Sequence, residues 1–211
     1  MKRIMKWFDS HLPMISIIFF IVFSIVFFTI NQVTTPKYII HSIIDDYIPF
    51  NEYFIIPYML WFVMIAFSLI YFVIHSKKDY LHLCFMMYMS MTISVLIYLM
   101  APNGLQLRVE LTNNNTCTQI VKLIQSIDNP TNVCPSIHVS VILAICASLL
   151  KSHCFSEKYA FKICVIIITI LICMSTVFLK QHSIIDVFWG VVLAFIMYIF
   201  AYHTSLDNKL S

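Results

Sequence analysis

The chain reads as an all-α integral membrane protein, and three observations predict that fold class. Hydrophobic residues make up 61% of its 211 residues and charged residues only 11%, whereas a soluble domain carries about 25% charged residues. Mean hydropathy is high, at +0.89. Charged side chains are absent from six stretches, residues 10–36, 53–76, 81–107, 129–150, 163–179 and 187–206. A helix needs about 20 apolar residues to cross the hydrocarbon. The expectation is therefore one membrane domain over residues 1–211, a six-helix bundle with spans near 13–31, 54–74, 81–100, 137–150, 160–179 and 184–203.

Met1-Lys2-Arg3-Ile4-Met5-Lys6 has the basic character of a signal n-region. The apolar run from Met14 to Ile30 is long for a signal peptide and no small-x-small site follows it, so it is read as a retained helix. Basic residues set the orientation. With the N-terminus inside, Lys2, Arg3, Lys6, Lys77, Lys78, Lys151, Lys158, Lys162 and Lys209 are cytoplasmic; only Lys37, Arg108, Lys122 and Lys180 lie opposite. The reading is N-in and C-in, with the plasma membrane as the expected location and the long loop 101–136 on the outer face. The net charge of +3 follows from this bias and carries no nucleic-acid footprint.

Between the first two spans, Ile39, Ile40, Ile43, Ile44, Tyr47 and Ile48 form an apolar helical stripe, with Asp45 and Asp46 opposite. That pattern predicts a short interfacial helix within residues 37–52. Pro49-Phe50-Asn51-Glu52 then turns the chain into the second span, where Tyr53, Tyr58 and Trp61 read as interfacial anchors, as do Tyr71, Tyr80 and Tyr88. Lys77-Lys78-Asp79 closes an antiparallel hairpin to the third span, whose Met86, Met87, Met89 and Met91 suit adaptable packing. Pro102-Asn103-Gly104 ends that span with turn residues, and a short helix is expected over 118–127. Asn114-Asn115-Thr116 has the form of a glycosylation sequon. A loop of this length in a compact protein is usually functional.

Of the seven cysteines, Cys84, Cys146, Cys164 and Cys173 lie in apolar helices as small core residues, and Cys154 in a cytoplasmic turn. Cys117 and Cys134 share the outer loop and are the pair available for a disulfide in an oxidising compartment. No Cys-x-x-Cys or His-rich spacing indicates a metal, and no cofactor is expected.

Two polar clusters stand at the mouths of apolar helices. His182 and Asp186 are spaced i, i+4, so the carboxylate can hold one ring nitrogen and leave the other outward as base or nucleophile. Ser175 stands seven residues before His182, and Lys180 puts a positive charge beside the pair. Upstream, Pro135 fixes the chain before a helix, Ser136 is a plausible N-cap and His138 lies in the first turn. With Arg108, the set contains cations and helix N–H groups for oxyanions, and two imidazoles for nucleophile and proton donor.

Pro135-Ser136-x-His138, followed by Ser175-x6-His182-x3-Asp186, resembles the second and third signature motifs of the type 2 phosphatidic acid phosphatase (PAP2) superfamily, in a divergent bacterial-like branch. The likeness extends to Asp128-x-Pro130-x-Asn132, to Gly190 after the aspartate, and to Ile48-Pro49-Phe50 with Pro57-Tyr58 and Trp61, covering residues 45–200. It implies a phospholipid-metabolising hydrolase, a membrane lipid phosphatase. His182 attacks phosphorus to form a phosphohistidine, Asp186 orients it, and His138 acts as general acid and then base. Ser136, Arg108, Lys180 and Ser175 hold the phosphate, with Pro135, Asp128, Asn132 and Gly190 in support. The chain departs from the family at Ala101 and Val109, where the first motif has lysine and proline, and at Thr176, where the third has arginine. The expected substrate is a membrane lipid carrying a phosphate monoester or pyrophosphate. The alternatives are a phosphotransferase that moves a head group to an alcohol, in the manner of inositol phosphorylceramide or sphingomyelin synthases, and a non-catalytic relative. The sequence is silent on oligomeric state.

Overall fold

The computed structural model describes residues 2–203, with side chains from His11 onward. Met1 and Lys209 fall outside the described residues, as do the side chains of Lys2, Arg3 and Lys6 that entered the charge count. The chain is helical: α1 (Lys2–Val33), α2 (Ile43–Tyr47), α3 (Ile55–His75), α4 (Lys77–Met100), α5 (Thr116–Ile127), α6 (Ile137–Lys151), α7 (Tyr159–Phe178) and α8 (Ile184–His203). Two short strands, β1 (Tyr38–Ile39) and β2 (Asn103–Gly104), pair in parallel.

Five helices are long and apolar enough to cross a membrane: His11–Val33, Glu52–His75, Lys77–Met100, Tyr159–Phe178 and Ile184–His203. The sixth expected span, α6, has 15 residues, about 22 Å of helix, and is the most enclosed. It packs against α3, α4, α7 and α8, and Ile142, Ile145 and Leu149 are wholly buried in the main core with Leu83 and Met87 of α4 and Ile172 of α7. Its surroundings are protein, so its length answers to its neighbours. By contrast the His11–Val33 part of α1 carries no Asp, Glu, Lys or Arg and only 6% of its best span window is buried; it lies along α4, where Phe19 stacks on Tyr88 and Ser16 bonds the Tyr80 hydroxyl. Tyr80 and Tyr88 therefore serve a helix seam and are not interfacial anchors.

The segment between α1 and α3 differs from the expected interfacial helix. Tyr38–Ile39 is a strand on β2, and the helix shrinks to five residues. Ile43, Ile44 and Tyr47 are exposed as the stripe predicts, but Asp45 points inward and is fully buried. The expected turn at Asn103-Gly104 is likewise a strand, and the short loop helix starts two residues early, at Thr116.

Asn103 fastens the loop to the start of α6. Its Oδ1 accepts the N–H groups of Val133 and Cys134, both at 2.9 Å, its Nδ2 donates to the Cys134 carbonyl at 3.0 Å, and its own carbonyl accepts Asn132 N–H at 2.7 Å. Asn31, wholly buried, ties the end of α1 to the same loop by donating to Asp128 Oδ1 at 3.0 Å and to the carbonyls of Asn129 and Thr131. Buried polar groups without partners are costly, so these two amides fix the loop's path.

Gly190 lets α8 approach α6. A Cβ there would stand 2.8 Å from the Ser136 carbonyl oxygen and 3.0 Å from Val139 Cβ. Gly190→Val is expected to lower stability by roughly 1–3 kcal/mol through overpacking. Thermal unfolding in detergent checks this, with Val191→Ala, on the exposed side of α8, changing it by no more than about 0.5 kcal/mol.

Candidate active site

The start of α6, the turn before α8 and the loop 101–136 meet at one end of the bundle. Pro135, preceded by a cis peptide bond, has its carbonyl held at 2.6 Å by the Tyr98 hydroxyl of α4. Ser136 is the N-cap of α6, its Oγ accepting Val139 N–H at 3.4 Å. That cap directs His138 outward from the first turn of α6, against two rings of α3: Tyr58 at 4.8 Å and Trp61 at 4.6 Å between centroids. Trp61 Nε1–H also donates to the His138 carbonyl at 3.0 Å. Tyr58 and Trp61 therefore hold His138 and are not interfacial anchors.

His182 arrives from the other side. Lys180, in the left-handed region at φ 56°, turns the chain after α7, and His182 Nδ1 meets Asp186 Oδ2 at 3.3 Å. The same oxygen accepts Ser183 N–H at 2.9 Å. With Nδ1 bonded to the carboxylate, Nε2 faces His138 Nδ1 at 3.5 Å, across 44 residues of sequence. The expected pairing of the two clusters is thus met in space. Neutral imidazole with one nitrogen fixed by a carboxylate leaves the other as a lone-pair donor.

The two rings stand at the polar end of a cavity of about 590 Å³, within the range of small-molecule sites. Its apolar walls come from α1 (Phe20, Phe23, Phe27) and α3 (Phe62, Ile65, Leu69). Its polar end adds Arg108, Asp128, Asn132 and Gln181. Arg108 donates to the Gln125 and Asp128 carbonyls and, at 3.2 Å, to Gln181 Oε1, which holds the guanidinium at the cavity wall. Asp128 lies beside it, and burial raises its carboxyl pKa against the opposing charges of His182 and Arg108. Asn132 adopts φ 58°, and its buried Oδ1 lacks a hydrogen-bond partner.

Other expected site residues stand elsewhere. Lys180 is buried and its ammonium donates to the Asp45 carbonyl at 2.6 Å, away from the cavity wall. Ser175 is buried in α7 with its hydroxyl on the Ile172 carbonyl at 2.6 Å, and neither it nor Ser136 lines the cavity. Cys117 and Cys134 are both free: Cys117 packs with Ile55, Tyr58 and Val121, while Cys134 lies beside Asp186, and burial first, then that carboxylate's charge, pushes its thiol up to about 12. Cys134 is therefore a protonated neighbour of Asp186 at neutral pH. Among the described residues no three of His, Cys, Asp and Glu group as metal ligands. The residues that sequence reasoning missed are Tyr98, Asn103 and Asp45. For Asp45 a signal existed, since Ser42-x-x-Asp45 is a capping pair.

Burial places Asp128's folded-state pKa above its unfolded value, so ionisation costs stability at neutral pH and nothing once both states are protonated. Asp128→Asn is expected to raise the thermal midpoint at neutral pH, and the gain to vanish as pH falls below about 4; melting curves across pH check both. No family model, curated protein or solved structure matches the chain.

Proposed function

We propose that the protein is a six-helix, N-in/C-in membrane enzyme of PAP2 type that hydrolyses a lipid phosphate at the outer face through a phosphohistidine. The observation that carries this reading is the His182 Nε2 to His138 Nδ1 approach at 3.5 Å, backed by Asp186, at the polar end of an apolar cavity. In the first step His182 Nε2 attacks phosphorus and the P–O bond to the lipid alcohol breaks, its electron pair leaving on oxygen. His138, protonated once the phosphate anion is bound beside it, supplies the proton to that oxygen, since an alkoxide leaves poorly without one. In the second step His138 takes a proton from water, the water oxygen bonds phosphorus, and the P–N pair returns to His182. Substrate binding must part the two rings, because phosphorus sits between them. Arg108 is the cation at the cavity wall and meets the phosphoryl oxygens.

The cavity favours a lipid. Aromatic and aliphatic side chains of α1 and α3 cover a hydrocarbon chain, worth about 25 cal/mol per Å² of apolar surface removed from contact with water. A second reading, phosphotransfer to an alcohol, is favoured by the unpartnered Asn132 Oδ1 in a cavity that Asp128 and Gln181 also line, groups that bind hydroxyls. Phosphate release from a panel of lipid phosphates in detergent, with and without a polyol, separates the two: free phosphate in the first case, a phosphorylated polyol beside the freed lipid alcohol in the second.

His182→Ala is expected to reduce turnover to background, and equal background from wild type would favour a non-catalytic relative. His138→Ala is expected to lower kcat roughly 10²–10⁴-fold, and much less with a lipid aryl phosphate, whose phenolate leaves without a proton. Activity is expected to survive EDTA; loss restored by a divalent ion would overturn a mechanism run by imidazoles and Arg108 alone.

A further inference from the structure

Asp45 belongs to the five-residue helix α2, whose Ile43, Ile44 and Tyr47 are 74%, 56% and 82% exposed. It alone turns inward, and it is wholly buried. Its carboxylate leaves its own helix for the turn between α7 and α8. Oδ2 accepts the Ser183 hydroxyl at 2.6 Å and Oδ1 accepts Ile184 N–H at 2.9 Å. Oδ2 also accepts Ser42 N–H at 2.8 Å, closing α2's cap. The residue's backbone carbonyl takes the Lys180 ammonium at 2.6 Å.

These bonds grip the chain on both sides of His182, at Lys180 before it and at Ser183 and Ile184 after it. Lys180 has a left-handed backbone, a conformation that persists in a residue with a side chain only when its surroundings enforce it. The carboxylate also sits at the N-terminus of α8, where free N–H groups and the helix dipole favour negative charge. Protein therefore occupies that helix end and leaves none of it for substrate.

We infer that Asp45 is a positioning residue for His182, so that α2, lying with its isoleucines and tyrosine on the membrane interface, braces the nucleophile from outside the bundle. This rests on His182 acting as proposed above. Asp45 touches no cavity wall, so its loss misplaces the imidazole without removing a substrate contact. A misplacement of about 1 Å at a reacting group costs on the order of 10²-fold in rate.

The test uses full-length Asp45→Asn and Ser183→Ala in detergent, with Asp46→Asn as control, because Asp46 is exposed and pairs only with His41 at 2.8 Å among the contacts in that helix. Kinetics are measured on the lipid phosphate that wild type turns over fastest, normalised to folded protein. Ring signals of ¹⁵N-labelled histidine are followed as well, with His182 assigned by their loss in His182→Gln. The expected result is a kcat lower by roughly 10- to 100-fold with KM within about twofold, and His182 signals that move in both variants but not in Asp46→Asn. A kcat within twofold of wild type and unmoved His182 signals in both variants overturn the inference, as do unmoved signals alone. A wild type without turnover whose His182 signals still move with Asp45 and Ser183 sinks the phosphatase reading and leaves the positioning role standing.

Discussion

Asp186 joins the two halves of the site. Its carboxylate receives His182 Nδ1 and the Ser183 N–H, which fixes the ring's orientation, while its backbone carbonyl receives Ser136 N–H at 3.1 Å, which fixes the start of α6. One wholly buried residue on α8 thus sets both the His182 imidazole and the helix that carries His138. In a bundle with so few polar side chains, an ionisable group at this depth is held only by such partners. Gly190, one turn further along, makes the arrangement possible, because the Ser136 carbonyl packs where a side chain would stand.

Around that joint, the loop's polar groups are used almost entirely on one another. Asn103 fastens the residues just before the cis proline, Asn31 fastens the end of α1 to the Asp128–Thr131 stretch, and Arg108 closes onto the same stretch and onto Gln181. This fixes the irregular stretches of the segment on either side of α5. It follows a track of side-chain amides rather than a sheet ladder.

The helical architecture was legible because it rests on hydrophobic length alone: the expected spans mark α3, α4, α7, α8 and the His11–Val33 part of α1 within a few residues, while α1 itself begins at Lys2. The pairing of His138 with His182 was legible too, since both stand at apolar helix starts that basic-residue bias puts on one side. Side-chain direction was not. Lys180 reads as a cation beside the nucleophile, yet an αL turn swings its ammonium to the Asp45 carbonyl. Ser136 and Ser175 read as phosphate ligands, yet a helix cap and an i−3 carbonyl satisfy them locally, as short hydroxyls do. Tyr58 and Trp61 read as interfacial anchors because aromatic residues near a span's end usually are, and only packing reveals that they frame His138. Asp45 stands opposite the apolar stripe as the periodicity predicts, but periodicity describes a helix in isolation and carries no sign of the partner that α2 has 135 residues away.

On the proposed reading, these placements leave the site poor in cations. Lys180 is diverted, and Ala101 and Thr176 stand where the resembled family has lysine and arginine. Arg108 alone is fixed on the cavity wall, beside an Asp128 carboxylate whose ionisation burial disfavours. Against a doubly charged phosphate, one guanidinium leaves one negative charge unbalanced unless His138 carries a proton, in a low-dielectric setting that makes the imbalance costly. A singly charged phosphate beside Arg108, or a dianion with His138 protonated, meets that requirement. The cation shortage thus gives the second histidine a larger share of the chemistry, and it makes the fixed position of His138 against Tyr58 and Trp61 as consequential as the His182–Asp186 bond.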